Sequence, residues 1–202
     1  MKIIIEAVTS SEAESAMWQV RREVFEREMG IKLAPGGAQE DGKISHLIAR
    51  TYPGREAVGT LSVIDTSGDE RLHESHNLGF EPGARAARFT HLAVLRPLRG
   101  RDIPVMMMLE AHRLFVAPRR YDYTWLLFDA SRAPTSFLTR LLGFTPKADT
   151  YVSEYGCRCP LVRAERAEAA AQALRLAEQV LKRSGALYAS APAADARYAL
   201  SA

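Results

Sequence analysis

The chain has 202 residues, of which 47% are hydrophobic and 25% charged, with a net charge of +3. This is the composition of a globular domain long enough to bury a sizeable core, and without a run of about 18 apolar residues nothing in it is expected to span a membrane. The charge is mild, and the arginines between Arg96 and Arg140 lack the aromatic interleaving of single-strand binders, so no nucleic-acid partner is expected.

Residues 2–8 are β-rich and interrupted by Glu6, which reads as a strand and not a signal peptide, and makes a cytoplasmic location the default expectation. Ser11 and Glu14 form a capping-box pattern at the start of a helix expected to reach Met29, with Ala13, Met17, Val20, Val24 and Phe25 as its apolar stripe. Residues 31–42 are rich in Gly and Pro and predict a loop over a site. Residues 44–52 and 57–64 then predict a hairpin around Pro53-Gly54. The polar stretch 67–84 is too long for a turn, and long loops in compact domains often serve as lids or binding loops. It carries His73 and His76, but no third ligand is evident, so no metal site is expected.

The most telling segment follows. Phe89, Leu92 and Val94 read as a buried strand; Arg96, Arg99 and Arg101 make a basic turn; an apolar helix with Met106, Met107 and Met108 starts near Asp102 and runs to about Val116. A strand entering a helix N-terminus leaves unpaired backbone N–H groups and partial positive charge, a ready site for an anion such as pyrophosphate. The plain alternative is a core helix with solvated arginines at its mouth. Residues 123–128 predict a strand, 131–142 a helix ending at Gly143-Phe144, and strands follow near Tyr151 and over 157–162. Cys157 and Cys159 lie two apart on a strand, too far for an ordinary disulfide and without partners at zinc spacing. Residues 165–183 are Ala-rich and helix-forming, with Leu174, Ala177 and Leu181 marking a face for the domain or for a second copy in a homodimer. The tail from Gly185 has the composition of a disordered segment. The expected organisation is a domain over 1–163, a helix over 164–184 and a tail over 185–202, and the element order suits a mixed α/β sandwich.

Leu92-Ala93-Val94 followed by Arg99-Gly100-Arg101-Asp102-Ile103-Pro104 resembles the acyl-CoA-binding core of the GNAT acyltransferase superfamily. There a Leu-x-Val strand precedes Arg/Gln-x-x-Gly-x-Gly/Ala and a helix. Asp102 and Pro104 stand at the two glycine positions; Asp102 adds a negative charge where phosphates approach, and it can cap the helix, while Pro104 fits a first helical turn. Gly143-Phe144 is similar to the end of the superfamily's Phe-Tyr-x-x-x-Gly-Phe, with Thr139 where the tyrosine acid stands. Arg21-Arg22-x-Val24-Phe25-x-x-Glu28-x-Gly30, Glu40-Asp41, Ser45-His46-Leu47 and Val58-Gly59-Thr60-Leu61 resemble the branch holding N-acyl amino acid synthases and acyl-homoserine lactone synthases. The lactone synthases' Glu-x-Ser-Arg-Phe is Arg85-x-Ala87-Arg88-Phe89 here, and Ser62 stands in place of their arginine, which argues against S-adenosylmethionine as acceptor.

The resemblance implies a GNAT-like, largely antiparallel sheet flanked by helices, plus an extra C-terminal helix. It implies an acyltransferase moving groups other than aminoacyl groups, from acyl-CoA or an acyl-carrier protein to the primary amine of an amino acid, polyamine or peptide. The alternative is a non-catalytic module that binds acyl-CoA or carrier protein on the same fold. Backbone N–H groups of Val94 and Leu95 would hold the thioester arm, and Arg99, Gly100, Arg101, Asp102 and Ile103 would form the donor turn. His91 is the first candidate base, because imidazole titrates near neutrality. Strand alternation predicts that it shares a face with Phe89 and Ala93, opposite Leu92 and Val94; the other reading is a structural histidine on the far side of the sheet. His46 is the second candidate base. Glu40, Asp41 and Arg88 are candidates for acceptor binding, with a solvated loop pair as the plain reading of the two acids. Tyr151 or Tyr155 is a candidate replacement acid, and the Met106 triplet either fills the core or lines an acyl channel.

Overall fold

The computed structural model describes residues 1–33, 44–128, 143–152, 157–184 and 188–190. β1 (Lys2–Ala7) alternates, burying Ile3 and Ile5. α1 (Ser11–Arg21) continues through a π-helical stretch, Arg22–Glu28, and buries the whole expected stripe from Ala13 to Phe25. Its cap is one residue earlier than the sequence pattern suggests. Ser10 has the extended backbone of an N-cap and accepts from the Ala13 N–H at 3.2 Å, whereas Ser11 is already helical.

β2 (Ile44–Tyr52) and β3 (Ala57–Asp65) form the expected hairpin. The stretch 67–84 is no open lid. It contains α2 (Glu70–Ser75), capped by Asp69, and anchors Leu78 against Ala86, Trp125 and Leu161. β4 (Ala86–Val94) leads through a short 3-10 turn, Arg96–Leu98, into α3 (Ile103–Ala111), which runs on through a π-helical stretch, His112–Val116, and α4 (Ala117–Arg119). β5 (Tyr123–Leu127), β6 (Thr145–Val152), β7 (Cys157–Glu165), α5 (Arg166–Ser184) and β8 (Tyr188–Ser190) complete the described chain. The helix expected over 131–142 lies outside the described residues.

The strands form one sheet in the order β6-β7-β5-β4-β3-β2-β1-β8, antiparallel except for the β4–β5 and β1–β8 pairs. This is the mixed, largely antiparallel sheet that the resemblance implies. α3 and α5 cover one face over a continuous core of Ile5, Leu61, Phe89, Met107 and Leu126; α1 and the α2 segment cover the other. α3 comes so close to β3 that a Cβ on Gly59 would sit 3.1 Å from Met107 Sδ and 3.2 Å from the Ala93 carbonyl, so only glycine fits there without a shift.

Two expectations about the C-terminus change. α5 buries Ala169 and Leu176, with Ala173 packed beside them, while Leu174 is 71% exposed, so the inward face is rotated from the one expected. Within the segment expected to be disordered, residues 188–190 instead pair with Ile3–Ile5 as an edge strand.

Candidate active site

β4 carries the feature that shapes the site. Thr60 pairs with Ala93 and Ser62 with Thr90, so His91 and Leu92 together face Leu61 alone, and His91 takes a left-handed φ of 52°. This is a β-bulge, which re-aims side chains and at a non-glycine residue costs roughly 1–3 kcal/mol. Thr60 Oγ1 donates to the His91 carbonyl at 2.9 Å and helps fix the bulge. The bulge overturns the simple alternation expected for this strand. Phe89 and Val94 enter the α3 core, with Leu92 packed against it, while His91 turns to the α1 side and meets Phe25 edge-on at 6.1 Å. Ala93 shares that side, with Val24 and Phe25.

The same strand parts from its neighbour. β4 and β5 pair only over Ala86–Arg88 and Tyr123–Trp125; farther along, β4 is paired with β3 alone and β5 with β7 alone. Leu95 N–H donates to the Val58 carbonyl at 2.9 Å, so it is not available to a thioester arm, contrary to expectation. By alternation the Val94 N–H points the opposite way, into the β4–β5 gap.

On the α1 side lies a buried polar cluster. Arg21, only 1% exposed, reaches from α1 to Ser62 Oγ with Nη2 and approaches His46 Nδ1 at 3.4 Å. His46 Nδ1 and Ser62 Oγ are 2.7 Å apart. Arg21 also lies over the Trp18 ring at 5.1 Å, and its Nε has no protein partner among the described residues. Burial, then the Arg21 charge, pushes the His46 pKa down to about 4. Burial pushes His91 down to about 3, with Arg21, Arg88 and His46 adding to the effect, and its Nδ1 is buried without a partner among the described residues. Arg88, next along the same side of β4, lies over Trp125 at 5.1 Å. Both histidines are therefore neutral at physiological pH, the state a base requires.

The basic turn differs from the sequence expectation in a specific way. Arg99 is occupied: its Nε donates to the Val94 carbonyl at 2.9 Å and its Nη2 pairs with Glu28 at 2.5 Å. Gly100 has φ +80°, a conformation that suits glycine, and Arg101 is exposed. Asp102 takes the N-cap position of α3 but its side chain makes no capping bond, and Pro104 lies in the first turn as expected. Ile103 is wholly buried, so only its backbone faces the turn. The first helical bond runs from Met106 N–H to the Asp102 carbonyl, which leaves the Ile103 and Val105 N–H groups outside the helical ladder.

Other candidates separate from this centre. Glu40, Asp41, Thr139 and Tyr155 lie outside the described residues; Tyr151 is on β6, but its side chain is not described. His76 packs against Trp125 and His73 against Phe80, and among the described residues no group of His, Cys, Asp and Glu is arranged to hold a metal. Met106, Met107 and Met108 are all buried in the core. Sequence reasoning gave Arg21 and Ser62 no catalytic part. The signal was there for Arg21, four residues after Met17 and four before Phe25, an arginine inside the buried stripe of a helix.

No protein-family model matches the chain, and comparison with curated proteins found no match. Solved structures do match. The N-acyl amino acid synthase FeeM from uncultured soil microbes is 15% identical, with a TM-score of 0.65 over 88% of this chain and 98% of its own. The chain has the GNAT fold. The CoA-dependent acyl-homoserine lactone synthase BjaI is 14% identical, with a TM-score of 0.61 over 94% and 93% of the two chains. The GNAT fold is also that of Arabidopsis thaliana NAA60 bound to acetyl-CoA, at 16% identity and a TM-score of 0.63 over 82% and 99%.

Proposed function

We propose that the protein is an N-acyltransferase that moves an acyl group from a thioester, acyl-CoA or acyl-carrier protein, to a primary amine. The observation that carries this reading is the β4–β5 gap with the Val94 N–H directed into it, and His91 three residues earlier on the same strand, turned to the opposite side of the sheet by the bulge. Names such as N-acyl amino acid synthase and CoA-dependent acyl-homoserine lactone synthase among the structural neighbours support the reaction class.

In this reading the pantetheine arm enters the gap and the thioester carbonyl oxygen accepts from the Val94 N–H. A single well-placed donor of this kind is worth roughly 2.7–4 kcal/mol in the transition state. The amine comes from the α1 side and loses its proton to neutral His91. Its nitrogen attacks the carbonyl carbon; the C–N bond forms, the C–S bond breaks, and the electron pair leaves with sulfur. The thiolate takes its proton from Tyr151 or from water. Glu40, Asp41 and Arg88 hold the acceptor, and an acid-bearing amine such as an amino acid suits a cluster whose described charges are Arg21 and Arg88.

Incubation with a panel of acyl-CoAs, acyl-carrier proteins and amines is expected to release free thiol with at least one combination. Absence of turnover with every donor would sink the reading. Calorimetry then separates the alternative, since binding of acyl-CoA or carrier protein without turnover identifies a non-catalytic module. That second reading draws on Asp102 and Pro104, which place a carboxylate and a missing N–H where the donor turn needs donors.

A further inference from the structure

Ser62 and Arg21 are both buried, and a buried hydroxyl proton needs an acceptor. A guanidinium only donates, so in the contact between Arg21 Nη2 and Ser62 Oγ the hydroxyl oxygen is the acceptor. The other partner of Ser62 Oγ among the described residues is His46 Nδ1, at 2.7 Å. The Ser62 proton therefore points to Nδ1, and Nδ1 must be bare to receive it. Arg21 Nη2 also approaches this nitrogen at 3.4 Å, a contact that an N–H there would oppose. A neutral imidazole with a bare Nδ1 carries its proton on Nε2. The relay Arg21, Ser62, His46 thus has one direction only.

We propose that His46 is not a base but a fixed Nε2–H hydrogen-bond donor to an electron-rich oxygen of the bound acceptor, and that Arg21 and Ser62 are positioning residues that hold its tautomer. The role toward substrate rests on the acyltransferase reading; the tautomer does not. Among the described residues the charged and titratable groups facing His46 are Arg21 from α1 and His91 from β4, and neither supplies a negative charge that would favour an imidazolium. Burial, and then the Arg21 charge, keeps His46 neutral down to about pH 4. With His46 committed as a donor, His91 is the one of the two candidate histidines left to take the amine proton.

Two-bond 1H–15N spectra of the histidine rings test the tautomer directly in the intact protein. The expected spectrum has the His46 proton on Nε2 at neutral pH. Ser62→Ala is expected to mix the tautomers, and Ser62→Thr, which keeps the hydroxyl, to restore one. In turnover, His46→Ala is expected to raise the acceptor KM at least about tenfold, the loss of roughly one hydrogen bond to a charged group. His46→Gln, whose amide N–H can stand in for Nε2–H but cannot take a proton, is expected to recover most of that loss. A wild-type proton on Nδ1 overturns the inference, and so does a His46→Gln enzyme whose acceptor KM is as high as that of His46→Ala. If no thioester turns over at all, the acyltransferase reading fails by itself, and the ring spectrum still decides the relay.

Discussion

On its α3 side β4 presents Phe89 and Val94 to Met107, Leu126 and Phe144, an apolar layer. On its α1 side, within the same nine residues, it presents Arg88 and His91 to Trp125 and Phe25, beside the buried Arg21–Ser62–His46 relay. A strand with unbroken alternation would place His91 with Phe89, in the apolar layer. The left-handed residue at His91 prevents this, and the strain it carries is offset by the packing of the core on the other face. The difference teaches that one bulge divides the strand's two faces, with an apolar core on one and buried polar groups on the other. Each face can be damaged separately.

The largest effect is expected at the bulge itself. His91→Asn removes the proposed base while keeping a residue at ease with positive φ. It should lower kcat by about 10²–10⁴-fold with the fold intact, read from steady-state thiol release and circular dichroism. A variant within threefold (about 0.7 kcal/mol) of wild type would return His91 to a structural role. The same variant sharpens the acid behaviour. His91 and His46 titrate near 6.5 when unfolded, and at about 3 and about 4 when folded, so between those values the unfolded chain binds more protons. Stability from these groups is full above about pH 6.5 and is lost as pH falls toward the folded values, by about 1.4 kcal/mol per pH unit for each. Urea unfolding at pH 7 and pH 5 should therefore show a smaller loss for His91→Asn than for wild type. Equal losses would mean that the imidazole is not desolvated.

The apolar face is tested by Met107→Ala. Met107 is fully buried against Gly59, and truncation should cost about 2–5 kcal/mol of stability while leaving the pH dependence of turnover unchanged. Gly59→Ala attacks the same contact from the strand, where overpacking costs about 1–3 kcal/mol. In the double variant the added methyl meets the space left by the thioether, so the two losses should sum to more than the measured one. Strict additivity would mean that the two sites do not touch.

These two faces were unequally legible in the sequence. The elements themselves follow from periodicity: the α1 stripe, the β2–β3 hairpin, and the strand–turn–helix from Phe89 to Met107 all occur where the pattern places them. The bulge has no such signature, because it depends on pairing with β3, and the face of His91 was therefore misread. The relay was hidden for a related reason. Arg21, His46 and Ser62 lie on three elements far apart in sequence, and only the closed sheet brings them together. Arg99 looked free because its partner, Glu28, is 71 residues away. The inward face of α5 was misjudged because an Ala-rich helix offers several nearly equal stripes.

The smallest effect concerns the basic turn, where the comparison between the faces meets the donor. Two arginines there look equivalent in sequence, but Arg99 is tied to Glu28 and the Val94 carbonyl, whereas Arg101 is exposed. If CoA phosphates bind at this turn, Arg101→Ala should weaken CoA by up to about tenfold, the value of roughly one charge-assisted contact. The weakening should shrink in high salt. Arg99→Ala removes the brace that joins the turn to the end of α1. It should act alike on acyl-CoA and on acyl-pantetheine, which has no nucleotide, whereas Arg101→Ala should spare acyl-pantetheine. Calorimetry with both ligands, at low and high salt, reads the contrast. Should neither variant change CoA binding, Asp102 and Pro104 have removed the phosphate site, and a carrier protein becomes the donor to test next.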